Sequence, residues 1–445
     1  MRFEDIPRDA IEHMKYCVLD SLGCCLYGVT LPWTRHVQAL VLGEGGTPAA
    51  SIFGGGGKTS VSQAVLVNST AGHAFELDDI HKESIIHPGS LATPVALALA
   101  EAGGGASGRD VLTALVAGYE VGARVGNAAT MSLFLRGFHP QGTSGAFVAA
   151  ATAGRMLSLD AQQMQHALGI VGSQAGGLMA AQEGAMVKRF HSGRAGQSGV
   201  YSALLARRGF TGITDVLEAP YGGYLSSLSD KPNPQRLTAG LGTVWETLNV
   251  GYKPHASVTS IHTALDALAD IMRENRLDAD AVAAVDAGLS HMTHVHCAWE
   301  YKAQGVTAAQ MNLYYGLAVI ALDGMAFVDQ YREDRLGDPR IFDFIKRITA
   351  RVDPQIEAMG AAFRHAARVK VTTKAGQTFT REILHRRGSP ENPLKPEDVI
   401  YKFRNVARSC LSGPRMERVL TLARSLDTLD DVGELTAIMA AAPDA

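Results

Sequence analysis

The sequence predicts a mainly α protein: a large all-helical domain built from both ends of the chain, plus a smaller α+β domain. Three observations carry this. Residues 1–248 are dominated by Ala, Gly, Leu and Met at helical spacing, interrupted by Gly-rich loops. Residues 282–290, 367–373 and 378–384 are instead β-rich. Beyond the breaker Gly388-Ser389-Pro390-Glu391-Asn392-Pro393 the helical pattern resumes over 395–435 and can return to the first domain. The expected division is 1–248 with 395–445, and 249–394.

In order along the chain, helices are expected at 94–102, 110–123, 145–157 and 198–208, where Ala- and Gly-rich faces allow close helix approach. Ser107 followed by Asp110 reads as a capping box opening the second of these. Helical patterns at 259–275 and 309–322 flank the strands, and Lys374-Ala375-Gly376-Gln377 joins the last two strands as a hairpin turn. There is no internal repeat and no low-complexity tract.

At 445 residues, with 46% hydrophobic and 19% charged residues, the composition is that of a globular protein of more than one domain. The formal net charge of -3 argues against broad attraction to nucleic acid or anionic membranes. No stretch has the roughly 18 consecutive apolar residues of a membrane span. The polar start MRFEDIPRDAIEHMKY lacks a signal-peptide core, so a cytoplasmic protein is expected. The five cysteines form no C-x-x-C pair and no spacing suited to zinc or an iron–sulfur cluster.

Three motifs fail on inspection. Gly103-Gly104-Gly105-Ala106-Ser107-Gly108 fits G-x-G-x-x-G but follows a helix where a dinucleotide fold needs a strand. Gly57-Lys58-Thr59 lacks the first glycine of a P-loop, which falls on Ile52. His291, His294 and His296 lie near a strand end without a carboxylate in metal-binding spacing; a hydrogen-bonded strand end is the preferred reading, and no metal is expected.

Chemistry concentrates in four clusters. His73, Glu76, Asp78, Asp79, His81, Lys82, Glu83 and His87 interleave imidazoles with carboxylates, the arrangement that orients a ring nitrogen for general acid–base work. Gly137-Phe138-His139-Pro140 places a histidine in a rigid loop just before a helix, whose first amides can hold an anion. Lys188-Arg189-Phe190-His191-Ser192-Gly193-Arg194 packs three cations and a histidine together, and Gly251-Tyr252-Lys253-Pro254-His255, with His262, opens the second domain. Singly, each cluster reads equally well as a solvated charge run or helix cap. Four of them in a charge-poor chain describe a cationic, histidine-lined cleft for a small polyanion.

With Asn68-Ser69-Thr70-Ala71-Gly72-His73, Glu76-Leu77-Asp78-Asp79, His87-Pro88-Gly89, Gly209-Phe210-Thr211-Gly212, Leu322-Asp323-Gly324 and Lys402-Phe403, these clusters form an ordered series that resembles the MmgE/PrpD family. The resemblance implies the two-domain fold above, a homodimer, no metal or organic cofactor, and an active site between the domains. It implies catalytic roles for His139, His87, Asp78, Asp79, Lys188 and Tyr315. Glu76, His81, Arg194, Lys253, His255 and His262 are expected to bind substrate.

Known activities of the family are 2-methylcitrate dehydration, cis-aconitate decarboxylation and iminodisuccinate epimerisation. The expected function is a cofactor-free hydro-lyase on a small hydroxylated di- or tricarboxylate, a carbon–oxygen lyase of the 2-methylcitrate dehydratase kind. An epimerase or decarboxylase of a related acid is the alternative, and a non-catalytic acid-binding member the third reading. Departures from the family pattern are Glu76 where many members have Asp and Pro254-His255-Ala256-Ser257 for the usual Pro-aromatic-Pro-Cys. Against the decarboxylases there is one extra residue between Asp79 and His87, with Ile80 for a threonine of that loop, and Val258 for a histidine. They argue against cis-aconitate decarboxylase itself.

Overall fold

The computed structural model describes residues 1–443, except for the side chain of Glu183. At the centre of the helical body lies Arg8–Gly28, buried along most of its length from Ala10 to Gly28. It packs on Val61–Gly72, Gly89–Ala102 and, from the far end of the chain, Pro396–Ala407. The long helix Gly108–Leu135 starts where Ser107 accepts a hydrogen bond from the Asp110 amide at 3.1 Å, as its N-cap pattern predicts. The glycine-rich run before it is a helix–helix turn. Gly118 and Gly122 let this helix settle against Ser144–Met156: a Cβ at either would sit about 2 Å from Thr152 or Val148.

The second body has a four-stranded sheet in the order Ile348–Val352, Val282–Leu289, Ala367–Thr373, Thr378–Ile383. The first pair is parallel and the others antiparallel. Along Ala367–Thr373 every second residue is buried, the alternation expected of a strand with one covered face. That face packs on the amphipathic helix His262–Glu274. The three expected strands and their hairpin are present. Ile348–Val352 was not anticipated, because Ile-Thr-Ala-Arg-Val is short and its parallel partner lies more than sixty residues upstream.

Two other elements differ from expectation. The pattern over 309–322 is broken into Val306–Met311 and Leu313–Asp323, since Asn312 adopts an extended backbone and caps the second helix through the Tyr315 amide at 3.0 Å. His291, His294 and His296 lie on a helix, His291–Cys297, capped by Ser290, and not on a strand.

Two large apolar cores and two smaller clusters result among the described residues. One large core joins the N-terminal helices to Val399, Phe403, Leu422 and Met439; the other is drawn mainly from residues 256–371. The C-terminal return is pinned by a buried Lys402–Asp20 ion pair at 2.6 Å. The bodies are stitched together where Ile80–His81 pairs antiparallel with Val250–Gly251. No helix among the described residues is long and apolar enough to cross a membrane.

Candidate active site

A cavity of about 720 Å³, its open mouth included, lies between the two bodies. Among the described residues its wall carries five cations (Lys82, Lys188, Lys253, Arg364, Arg386) and four imidazoles (His87, His139, His296, His365), against one carboxylate, Glu76. Ile80, Ile85, Phe134, Met179, Val258, Met292 and Met311 make the rest of the wall largely apolar. Such a wall strengthens every charge interaction inside it.

Glu76 organises the cations. Its Oε1 pairs with Lys188 and lies 2.8 Å from Arg189 Nη1, while Oε2 lies 3.2 Å from Lys253 Nζ. All four side chains are buried. Lys188 and Arg189 stand in the first turn of Val187–Arg207, where the helix dipole already favours negative charge, so the carboxylate offsets both. Burial, followed by the neighbouring Arg189 and Lys253, pushes the Lys188 ammonium well below the usual lysine range. Burial lowers Lys253 to about 7. Glu76 (φ +50°) and Ile85 (φ +56°), both on the cavity wall, adopt left-handed backbone, a conformation disfavoured for residues with side chains.

Beside this cluster lies a row of imidazoles. Asp78 accepts from His73 Nδ1 at 2.8 Å through one oxygen, and its other oxygen lies 3.2 Å from His87 Nδ1. Burial acts to raise the Asp78 carboxyl, but His87 and His73 hold it well below the usual range, so it is ionised. The His73 ring stands 4.8 Å from His87 and 5.8 Å from His139, centre to centre. Gln141 fixes the two cavity histidines relative to each other: its amide oxygen accepts from the His87 backbone at 2.8 Å, from within the loop that carries His139. His73, Asp78 and His87 bring three possible ligand atoms within 4.8 Å, the group among the described residues that comes nearest a metal site. Contacts between the carboxylate and the two rings already account for its geometry.

Of the residues expected at the site, His139, His87, Lys188, Lys253 and Glu76 line the cavity, and Asp78 stands behind His87. The others lie elsewhere. Asp79 is buried in the helical body, accepting from Tyr119 Oη at 2.7 Å and the Gly89 amide at 3.0 Å; burial and then Asp20 push its carboxyl well above the usual range. Tyr315 is fully buried among Tyr301 and Tyr331 and donates to the Gln330 carbonyl at 2.5 Å. Arg194 points outward and donates to Gln197. His81 bridges Ser84 and Glu246. His255 pairs with Asp266 at 2.9 Å in a separate cavity, and His262 lies behind it on the Ser257 carbonyl. Arg364, His365 and Arg386 went unrecognised in the sequence; they sit at the ends of the central hairpin strands and reach the cavity from the second body.

Profiles of the MmgE/PrpD N-terminal and C-terminal domains match residues 1–236 and 255–428. The chain belongs to the MmgE/PrpD family. Named relatives with which this MmgE/PrpD chain aligns include a cis-aconitate decarboxylase of Aspergillus terreus, 32% identical over 98% of this chain and 93% of the relative. A cis-aconitate decarboxylase-like protein of Aspergillus oryzae is 30% identical over 98% and 94%. The cis-aconitate decarboxylase of Homo sapiens is 26% identical over 96% and 90%. These relatives weigh toward a carbon–carbon lyase and away from the dehydratase expected from the sequence.

Proposed function

We propose that the protein is a decarboxylase of a small unsaturated polycarboxylate, of the cis-aconitate type. The observation that supports this most is the excess, among the described residues, of five cations over one carboxylate on a wall that also presents His87 and His139. Lys188, Lys253, Arg364 and Arg386 hold the carboxylates that are retained. The carboxylate that departs leaves its bonding electrons on carbon, where conjugation with the double bond and a neighbouring carboxylate spreads the charge onto oxygens facing those cations. Carbon dioxide is released, and an imidazole, His139 or His87, delivers the proton that completes the product. Asp78, 3.2 Å from His87 Nδ1, orients the His87 ring.

A second reading is favoured by Ile80 and Val258. Both line the cavity, and they are the apolar replacements for the threonine and histidine of the decarboxylases the chain resembles. They point to a substrate altered from cis-aconitate, or to dehydration of a hydroxylated relative. Proton NMR in deuterated buffer, with carbon dioxide monitored, separates the two. Carbon dioxide release with deuterium incorporated into product from cis-aconitate supports decarboxylation; a new vinyl signal from citrate or 2-methylcitrate without carbon dioxide replaces it by dehydration. Wild-type turnover in His139→Asn and Lys188→Met would remove these residues from the mechanism.

A further inference from the structure

His191 is not among the residues that line the cavity, yet its Nδ1 lies 2.9 Å from Nδ1 of His139, with the ring centres 5.1 Å apart. Two ring nitrogens at that distance share one proton: one donates and the other accepts, so the protonation states of the rings are tied together. The contact leaves Nε2 as the free nitrogen of His139, and among the described residues no protein group hydrogen-bonds it. The pairing is built into the fold. The His139 amide donates to the Gly177 carbonyl at 2.9 Å, and a Cβ on Gly177 would stand 3.2 Å from the His191 ring. The two rings differ in surroundings. His139 is 6% exposed, whereas His191 is only half-buried. A positive charge is therefore cheaper on His191 than on His139. Burial, with His73 and His191 next, drives His139 well below the ordinary histidine range, while burial and then Lys188 also lower the half-buried His191.

Resting on the decarboxylase reading, we propose that His191 is a positioning residue that stores the proton His139 delivers. In the reactive form of the pair, which has taken up one proton, His191 carries the charge, with a proton on each nitrogen, and His139 carries its proton on Nε2. As the carbon–carbon bond breaks and its electron pair remains on the substrate carbon, the Nε2 proton of His139 moves to that carbon. The Nδ1 proton of His191 moves to Nδ1 of His139 at the same time, leaving both rings neutral. After product leaves, water entering the emptied cavity protonates Nε2 of His139, and the Nδ1 proton returns to His191. One proton is taken from solvent per carbon dioxide released, which is the balance the reaction requires.

The test is the dependence of kcat on the deuterium fraction of the solvent in wild type, His191→Gln and His191→Phe. Glutamine can still hydrogen-bond His139 and hold its ring but cannot carry the charge. A double transfer gives a bowed dependence in wild type and a straight one in His191→Gln, whose kcat falls about 10- to 100-fold with KM little changed. A straight dependence in wild type, an unchanged kcat in His191→Gln, or a bowed dependence persisting in that variant overturns the proposal. Failure of wild type to act on any polycarboxylate would sink the decarboxylase reading instead. The shared proton is then read directly, as a downfield imidazole resonance lost in both His139→Gln and His191→Gln; its absence from wild type overturns the pairing.

Discussion

Lys253 and Glu76, 177 residues apart in sequence, meet at 3.2 Å at the junction of the two bodies. The same carboxylate also holds Lys188 and Arg189, so one anion stands between three buried cations. Removing one member of a buried ionic cluster is far more costly than never building it, because the remaining charges lose the carboxylate that pairs with them directly. Glu76→Gln is expected to lower unfolding stability by about 3–5 kcal/mol. A bound polycarboxylate should recover part of that loss by supplying the missing anion. Urea unfolding with and without ligand measures both; a loss within experimental error would show that Glu76 does not compensate these cations.

Asp78 and Asp79 are adjacent and face opposite environments. Asp78→Asn should abolish most turnover, by about 100-fold or more, because it unties His73 and His87. Asp79→Asn should leave turnover close to wild type. The sign of its pH effect follows from its raised carboxyl pKa. The folded state keeps the Asp79 proton above the pH at which the unfolded chain releases it, near 4. Wild type therefore loses stability through this group as pH rises above that point, and Asp79→Asn does not. The stability difference should move in the variant's favour from pH 4 to 8; movement the other way contradicts the assignment.

Tyr315→Phe separates packing from catalysis. The hydroxyl donates to the Gln330 carbonyl within the core of the second body. Its loss should cost about 1 kcal/mol of stability and leave kcat and KM at wild-type values. A large fall in kcat would return Tyr315 to the chemistry.

Glu246 gives an acid-side test. The hydrogen bond with the His81 ring, foremost, holds its carboxylate down to about 2. The folded value is below the unfolded one, so this stabilisation is complete above the ordinary glutamate range and is lost as pH falls toward about 2. The stability advantage of wild type over Glu246→Gln should shrink across that window. An advantage that stays constant with pH would assign it to packing.

Local signals account for what the sequence reveals. The Ser107 cap, the 374–377 turn and the helical spacing of the Ala-rich segments are fixed by neighbours within a few residues, and these elements appear where expected. That His139 and Lys188 meet at one cavity was legible as well, because one stands in the loop before a helix and the other in a helix's first turn, each within a dense polar motif. The second body's contribution was not. Arg386 is 3% exposed and lines the cavity, while the side chain of the next residue, Arg387, is 49% exposed. Nothing in Leu384-His385-Arg386-Arg387 distinguishes the two; only the path of the chain after strand Thr378–Ile383 does. Arg194 shows the reverse. It shares a motif and a helix with Lys188, but six residues along the helix turn it to another face.

The return of the C-terminal helices onto the first helix has a consequence for biosynthesis. The Cys410 thiol meets the Leu26 carbonyl at 3.0 Å across 384 residues. At ordinary translation rates that separation amounts to about 20–80 s. Throughout that time the first helix is outside the ribosome while the segment that covers one of its apolar faces is still being made. The inserted body, whose core comes mainly from residues 256–371, is able to collapse earlier. The nascent chain thus carries a folded insertion flanked by an unfinished helical half, and its period of greatest aggregation risk ends only when the last helices dock.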